Sequence, residues 1–140
     1  MGLEELSSLR RLTIQSCDKL ISIDWYGLRQ LPSLGHLAII GCRSLSDFPE
    51  DDCLGGLTQL EELSIGGFSE EMEAFPAGVL NSIQHLNLSG SLKYLRIYGW
   101  DKLKSVPHQL QHLTALEELF IRYVWYCGSC CGCGLKKVVL

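Results

Sequence analysis

One hydrophobic pattern recurs five times along the chain. In each copy a leucine is followed three residues later by a second leucine, and two residues after that by an isoleucine. The first leucines are 25 (9 to 34), 26 (34 to 60), 32 (60 to 92) and 24 (92 to 116) residues apart. Three of these spacings fall within the period of about 20–29 residues that is typical of short stacked repeats. The five copies are Leu9-Leu12-Ile14, Leu34-Leu37-Ile39, Leu60-Leu63-Ile65, Leu92-Leu95-Ile97 and Leu116-Leu119-Ile121.

Each copy predicts a short β-strand, and the chain between two successive strands predicts a return segment. The second leucine and the isoleucine lie two positions apart and therefore share one face of a strand. Before the strand, leucines in steps of three indicate a short helical or 3₁₀ return with one apolar side. Since no unit alone can bury these leucines, the units must stack. The return leucines are Leu28-Leu31-Leu34, Leu54-Leu57-Leu60 and Leu110-Leu113-Leu116.

The pattern predicts an α/β fold, a leucine-rich-repeat solenoid that forms a fragment of a curved horseshoe. We expect a parallel sheet on the concave face and irregular or short helical segments on the convex face. Residues 1–124 would form an array of about five repeats, and residues 125–140 a Cys- and Gly-rich atypical tail. A strict test is that the isoleucines of successive strands, Ile14, Ile39, Ile65, Ile97 and Ile121, lie side by side.

The longest spacing requires a separate explanation. Between Pro76 and Leu92, residues 83–90 imitate the strand pattern but leave too little chain for two full units. Either Leu86–Leu88 is a strand followed by a bulged loop, or the return segment is enlarged and bulges outward. We favour the enlarged return, since an insertion in one repeat is a common place for a binding loop.

Composition and charge limit the classes of function. The 140 residues carry a net charge of −4, so the basic stripe expected of a nucleic-acid-binding protein is missing. No segment has the 18 or more apolar residues of a membrane span, so we expect no stable span. An acidic N-terminus without a long apolar stretch predicts a cytoplasmic protein. Because Leu3-Leu6-Leu9 already belongs to a return segment, we expect a fragment of a longer array.

The sequence resembles the leucine-rich-repeat region of plant nucleotide-binding, leucine-rich-repeat disease-resistance proteins of the coiled-coil class. The resemblance covers roughly residues 1–124. Its most characteristic stretches are Leu9-Arg10-Arg11-Leu12-Thr13-Ile14-Gln15-Ser16-Cys17, Leu103-Lys104-Ser105-Val106-Pro107 and Leu110-Gln111-His112-Leu113-Thr114-Ala115-Leu116-Glu117-Glu118-Leu119.

The resemblance implies a protein-recognition and regulatory module of an intracellular immune receptor in plant defence. Its partner would be a pathogen effector, a guarded host protein, or the receptor's own nucleotide-binding domain. The chain has no Gly-x-x-x-x-Gly-Lys-[Ser/Thr] phrase, so we expect no nucleotide or other cofactor. Two alternatives remain: a substrate adaptor of a ubiquitin ligase, or a nonfunctional truncated resistance-gene product.

The candidate binding residues are the strand positions that alternate with the core positions. Tyr94, Arg96, Tyr98, Phe120 and Arg122 form the densest group, and Tyr and Arg are common at interface hot spots. The complete predicted concave face comprises Arg11, Thr13, Gln15, His36, Ile40, Glu62, Ser64, Tyr94, Arg96, Tyr98, Glu118, Phe120 and Arg122.

Other chemistry is disfavoured. No catalytic motif is present, so we expect no enzyme, and the zinc set of His108, His112, Cys127 and Cys130 matches no common finger. We expect Cys17 and Cys42 to be buried, and both to be reduced together with Cys53. The tail is interpreted as largely disordered, with S-acylation of its clustered cysteines as the alternative. The sequon at Asn87 is expected to remain unmodified.

Overall fold

The computed structural model describes residues 8–100, 102–103, 107–126 and 131–139. Side chains are described through Arg122, except those of His108 and Gln111. The predictions that involve Leu3, Leu6, Val106, Cys127 and Cys130 therefore lie outside the described part of the chain.

Six strands form one sheet in the order in which they occur along the chain. The first five strands are parallel, and the last pairs antiparallel with the fifth. The register pairs Ile14 with Ile39, and then continues through Ile65 and Ile97 to Ile121. The predicted alignment of isoleucines is thus confirmed. The strands are β1 (Arg11–Gln15), β2 (His36–Ile40), β3 (Glu62–Gly66), β4 (Tyr94–Tyr98), β5 (Glu118–Tyr126) and β6 (Cys131–Val139).

The return segments cover one face of this sheet. They include a short helix, α1 (Trp25–Leu28), and a 3₁₀ helix at His108–His112, whereas the return with Leu54, Leu57 and Leu60 is built of turns, so the helical prediction is confirmed only in part. All nine leucines of these steps are at most 3% exposed, so each return contributes its apolar side to the core. The leucines and isoleucines of β2–β5 on this face are buried as well. Burial of these aliphatic side chains is the main stabilising contribution to the stack.

The enlarged return after β3 contains an ordered helix, α2 (Ala77–Ser89). The enlarged return favoured from the sequence is confirmed, and no strand forms at Leu86–Leu88; the correction is that the added residues form a helix packed on the core instead of bulging outward. The helix forms because Val79, Ile83 and Leu86 lie on one helical face and are buried, and Gly90 ends it with a left-handed φ of 76°. A Cβ on Gly78 would lie 2.1 Å from the carbonyl oxygen of Pro49, so glycine permits the close approach of α2 to the preceding return.

Aromatic rings connect successive units beside the aliphatic core. The ring centroids of Trp25 and Phe48 are 5.3 Å apart, those of Phe48 and Phe68 4.7 Å, and those of Phe68 and Trp100 5.0 Å. The indole Nε1–H of Trp25 donates to the Asp47 carbonyl at 3.0 Å, so this buried ring has no unpaired polar atom. These aromatic side chains therefore provide contacts between units as well as burial.

A small residue follows each of the first four strands. Ser16, Gly41 and Gly67 have φ values of 56°, 70° and 63°, in the left-handed region where glycine is favoured, and Gly99 occupies the same position after β4. Each of their backbone N–H groups donates to a carbonyl of the next strand at 2.7–3.0 Å, and for Ser16, Gly41 and Gly67 that carbonyl belongs to the strand's last residue. Tyr123 stands at the corresponding position of the fifth unit, and there the strand continues to Tyr126.

Within the tail, residues 131–139 form a strand instead of the disordered segment expected from the composition. Cys131–Val139 forms β6, which pairs with all nine residues of β5 from Glu118↔Val139 to Tyr126↔Cys131. An edge strand has unpaired backbone N–H and C=O groups, and pairing with them stabilises a glycine-rich segment that has little intrinsic preference for strand. Composition alone therefore gave the wrong expectation for these residues.

Cys17, Cys42 and Cys53 are free thiols, as predicted. Cys42 and Cys53 are buried, and burial raises the pKa of both thiols, that of Cys53 to about 11. Cys17 is exposed, which corrects the expectation that it is buried. It lies directly after β1, the strand that pairs on one side only within the described residues, whereas Cys42 lies between two units.

Candidate functional site

The face of the sheet opposite the return segments is the candidate binding surface, here termed the open face. Its positions alternate with the buried leucines and isoleucines, and most of its side chains are exposed or half-buried. Arg11, Thr13 and Gln15 are exposed at one end, and Arg122 is exposed on β5. The open face consists of Arg11, Thr13, Gln15, His36, Ala38, Ile40, Glu62, Ser64, Gly66, Tyr94, Arg96, Tyr98, Glu118, Phe120 and Arg122.

A charged group lies at the centre of the open face. The Nδ1 atom of His36 is 2.8 Å from Glu62 Oε2, and Arg96 Nη1 is 3.3 Å from Glu62 Oε1. These residues come from β2, β3 and β4, and the register places His36 beside Glu62. Partly exposed ion pairs contribute little to stability, commonly below about 1 kcal/mol. The arrangement fixes the orientation of three polar side chains on the surface.

Aromatic side chains lie next to this charged group. The ring centroids of Tyr98 and Phe120 are 6.1 Å apart, with their planes at 55°. The Tyr94 hydroxyl donates to Glu117 Oε2 at 2.9 Å, and this hydrogen bond to a carboxylate raises the pKa of Tyr94. The group predicted from sequence at this end of the sheet is thus partly assembled by direct contacts.

A hollow of about 220 Å³ opens on the same face, between β1 and β4. Small side chains at Ala38 and Ser64 contribute to its lining, and Arg11 and Arg96 line it with cationic groups. The complete lining is Arg11, Leu12, Thr13, His36, Leu37, Ala38, Ile40, Glu62, Ser64, Arg96 and Tyr98.

Ser64 differs from its predicted role as a projecting contact residue. It is only 7% exposed, although it lies on the open face. Its side chain is short, while Glu62 on the same strand and Arg96, its register partner on β4, are long. Alternation correctly predicts the face that a residue occupies, but the size of its neighbours determines whether a partner can reach it.

The sequence interpretation missed a second polar group on the return side, here termed the Asp52 cluster: Asp52, Ser82 and His85. Ser82 Oγ lies 2.6 Å from Asp52 Oδ1, and His85 Nδ1 lies 2.8 Å from Asp52 Oδ2. Ser82 is fully buried, and its hydroxyl oxygen accepts hydrogen bonds from the backbone N–H groups of Cys53 and Leu54 at 2.9 and 2.8 Å. The cluster fastens α2 to the preceding return segment.

The Asp52 cluster has the residue types of a hydrolytic triad in an order that does not fit one. In such a triad histidine lies between serine and aspartate and removes the serine proton. Here Asp52 lies between Ser82 and His85, and the Ser82 oxygen already accepts two backbone hydrogen bonds. Cys53 is nearby, but its pKa of about 11, raised by burial, makes it a poor nucleophile at neutral pH. The arrangement supports a structural role.

The Asp52 cluster predicts a specific loss of stability in acid. Burial alone would raise the pKa of Asp52, but hydrogen bonds from Ser82, His85 and the Gly55 N–H outweigh it and hold that pKa below its ordinary 3.8. The stability contributed by ionised Asp52 is therefore fully present above about pH 3.8 and is lost as pH falls through the lower folded-state pKa. In urea unfolding, Asp52→Asn should be less stable than the wild type at pH 7 and should lose less stability on acidification below about pH 4.

Glu50→Gln, which removes a nearby exposed carboxylate, provides the control for this experiment. It should follow the wild-type pH profile. An acid-induced loss in Asp52→Asn equal to that of the wild type would contradict the assignment.

Asn87 takes part in packing between units. Its Oδ1 accepts a hydrogen bond from the backbone N–H of Ala115 at 2.9 Å, which links α2 to the start of the fifth unit.

The described residues contain neither a grouped metal site nor a membrane-spanning helix. In the part of the chain that the structure describes, no three His, Cys, Asp or Glu residues are grouped in a way that could hold a metal ion. Within the same residues, no helix has the length and apolar character required to cross a membrane. Comparison with known proteins adds no relative: no protein-family model, no curated protein and no solved structure matches this chain.

Proposed function

We propose that the chain is a leucine-rich-repeat module that recognises another protein through the open face. Its setting would be a cytoplasmic immune receptor of plants, and its partner a pathogen effector, a guarded host protein or the receptor's own nucleotide-binding domain. In this proposal the chain has no catalytic role. The stacked units serve as a scaffold that presents the open face.

The observation that carries the proposal is the in-register stack of five parallel strands. Because the register is maintained from β1 to β5, the variable positions of five units form one continuous surface. Its side chains include Tyr94, Tyr98, Phe120 and Arg96, of types that are enriched in protein interfaces. The other face of the sheet is covered by the return segments and forms part of the core.

The hollow between β1 and β4 is smaller than a typical small-molecule pocket. Binding pockets for drug-sized ligands have volumes of about 300–1,000 Å³ and enclose most of the ligand. The hollow of about 220 Å³ is smaller and is suited to a single protruding side chain of a larger partner. A protein partner would cover the surrounding strands as well.

Site-specific photo-crosslinking tests the proposal. A purified full chain carrying a photoreactive phenylalanine analogue in place of Phe120 is irradiated in extract of pathogen-challenged leaf, and adducts are identified by mass spectrometry. We expect a defined protein adduct from this position and none of the same adduct from an analogue at Tyr26, which is 70% exposed on the return side.

Paired variants show whether the adduct depends on the open face. Tyr94→Ala combined with Arg96→Ala should remove most of the adduct, whereas the matched pair Tyr26→Ala and Arg43→Ala, at exposed residues outside the open face, should retain it. Equal losses in the two pairs, or the same adduct from Tyr26, would contradict recognition by this surface. Ubiquitin-ligase subunits among the adducts would favour the adaptor function instead.

A further inference from the structure

We propose that the hollow between β1 and β4 is a subsite for an acidic side chain of the protein partner, with Arg96 as its principal contact and Arg11 as a second cation. This inference rests on the proposed function, because it specifies the chemistry of a partner that the open face would bind. It goes further by naming the position and charge of the group that is recognised.

The hollow differs in charge from the chain as a whole. The chain carries a net charge of −4. The lining of the hollow has two arginines, Arg11 and Arg96, against one glutamate, Glu62, which leaves one net positive charge with histidine neutral. An acidic group is therefore attracted to the hollow, although the protein as a whole repels anions.

Glu62 already has two partners inside the hollow. Its two carboxylate oxygens are paired separately, Oε2 with His36 at 2.8 Å and Oε1 with Arg96 at 3.3 Å. Arg96 thus compensates the negative charge inside the hollow, and His36 occupies the other carboxylate oxygen. A second carboxylate entering the hollow would meet the two arginines of its lining with less repulsion from Glu62 than an isolated glutamate would exert.

The geometry of Arg96 leaves part of its guanidinium group available to a partner. A guanidinium group has five N–H donors, and the contact with Glu62 involves Nη1. The Arg96 side chain remains 47% exposed, so a carboxylate approaching from solvent can form charge-assisted hydrogen bonds with it. Glu62 holds the guanidinium in place before the partner arrives, which reduces the entropy lost on binding.

The hollow has a shape that suits a single side chain. Ala38 and Ser64 have short side chains, while Ile40, Tyr98 and Arg96 are larger, and all five line the hollow. An acidic side chain could enter between the larger residues, and its neighbours in sequence could pack against Ile40 and Tyr98. Because only three arginines are spread over the whole face, a polyanion such as nucleic acid would gain little from this surface.

The experiment uses short random peptides displayed on phage as probes of the full-length chain. Peptides that bind the immobilised protein are sequenced, synthesised and measured by isothermal calorimetry. We expect enrichment of Asp or Glu at one position. Replacing that residue by Asn or Gln in the peptide should weaken binding at least about tenfold, the loss expected for one charge-assisted hydrogen bond.

Three protein variants separate recognition from a general effect on folding. Arg96→Gln should weaken binding of the acidic peptide about tenfold but should leave binding of its amide analogue nearly unaffected. Arg43→Gln, a change at an exposed arginine outside the hollow, should bind both peptides like the wild type. Glu62→Gln should bind the acidic peptide as well as or better than the wild type, because it removes a negative charge while the amide oxygen can still accept a hydrogen bond from Arg96 and hold it in place. If the group had only a structural role, Glu62→Gln and Arg96→Gln would weaken binding equally. Circular dichroism checks that each variant is folded.

The possible outcomes distinguish this inference from the proposed function. Peptides that are weakened by Tyr98→Ala but show no preference for acid would overturn the acidic subsite and leave recognition by the open face intact. Peptides insensitive to both Tyr98→Ala and Arg96→Gln, or failure to recover any binding peptide, would count against both proposals.

Discussion

Ser82→Ala should destabilise the protein by about 2–6 kcal/mol. The substitution leaves the buried N–H groups of Cys53 and Leu54 without their acceptor, and each unsatisfied buried group costs about 1–3 kcal/mol. It also removes the contact between Ser82 and Asp52. Since a typical domain is stable by only about 5–15 kcal/mol, the loss should be evident as a large decrease in the urea midpoint.

Ser89→Ala is the matched control in the same helix. Ser89 is exposed, and its hydroxyl donates to the Leu86 carbonyl at 2.9 Å. Alanine has a higher helix propensity than serine, by less than about 0.7 kcal/mol, so this variant should be neutral or slightly more stable. If both variants behave alike, the Asp52 cluster does not fasten α2 to the preceding return.

Leu63→Ala should destabilise the protein by about 2–5 kcal/mol. Leu63 is fully buried in β3, with Leu37 and Leu95 as its register partners on the two neighbouring strands. Shortening it removes apolar contact area and leaves a cavity that well-packed neighbours cannot fill completely. Its central position means that the packing of two interfaces between units is weakened at once.

Leu12→Ala tests whether the position of a unit determines the size of this effect. Leu12 occupies the equivalent site on β1, but it is only half-buried, and β1 pairs with β2 alone in the described sheet. Its loss should be less than half that of Leu63→Ala in the same urea titration. Equal losses would show that the units do not stack as a linear array with less protected ends.

The parts of the fold that the sequence predicts are those encoded by spacing. The alternation of apolar and polar residues predicts the strands and their buried faces correctly. The spacing of the repeats predicts that Ile39 lies beside Ile65, as the register confirms. The steps of three leucines predicted inward-facing returns, which are buried. These features depend on local periodicity and on one stacking rule repeated along the chain.

The features that the sequence did not predict depend on contacts between distant or differently sized residues. Ser82 and Asp52 are thirty positions apart and belong to no repeated pattern, so nothing local indicates that they meet. Ser64 is on the predicted face but is buried among longer side chains. In β6, pairing with an available strand edge outweighs a composition that indicates disorder.

The identity of the residue after each strand has a consequence for how such a chain could grow by duplication. A copied unit inserted before β5 would follow a small residue, turn, and find parallel neighbours on both sides, as β2–β4 do. A unit added beyond β6 would instead meet a neighbour running in the opposite direction. Tyr123, where the turn is omitted and the strand continues, therefore marks the point in the described residues at which a tandem copy would no longer meet parallel neighbours on both sides.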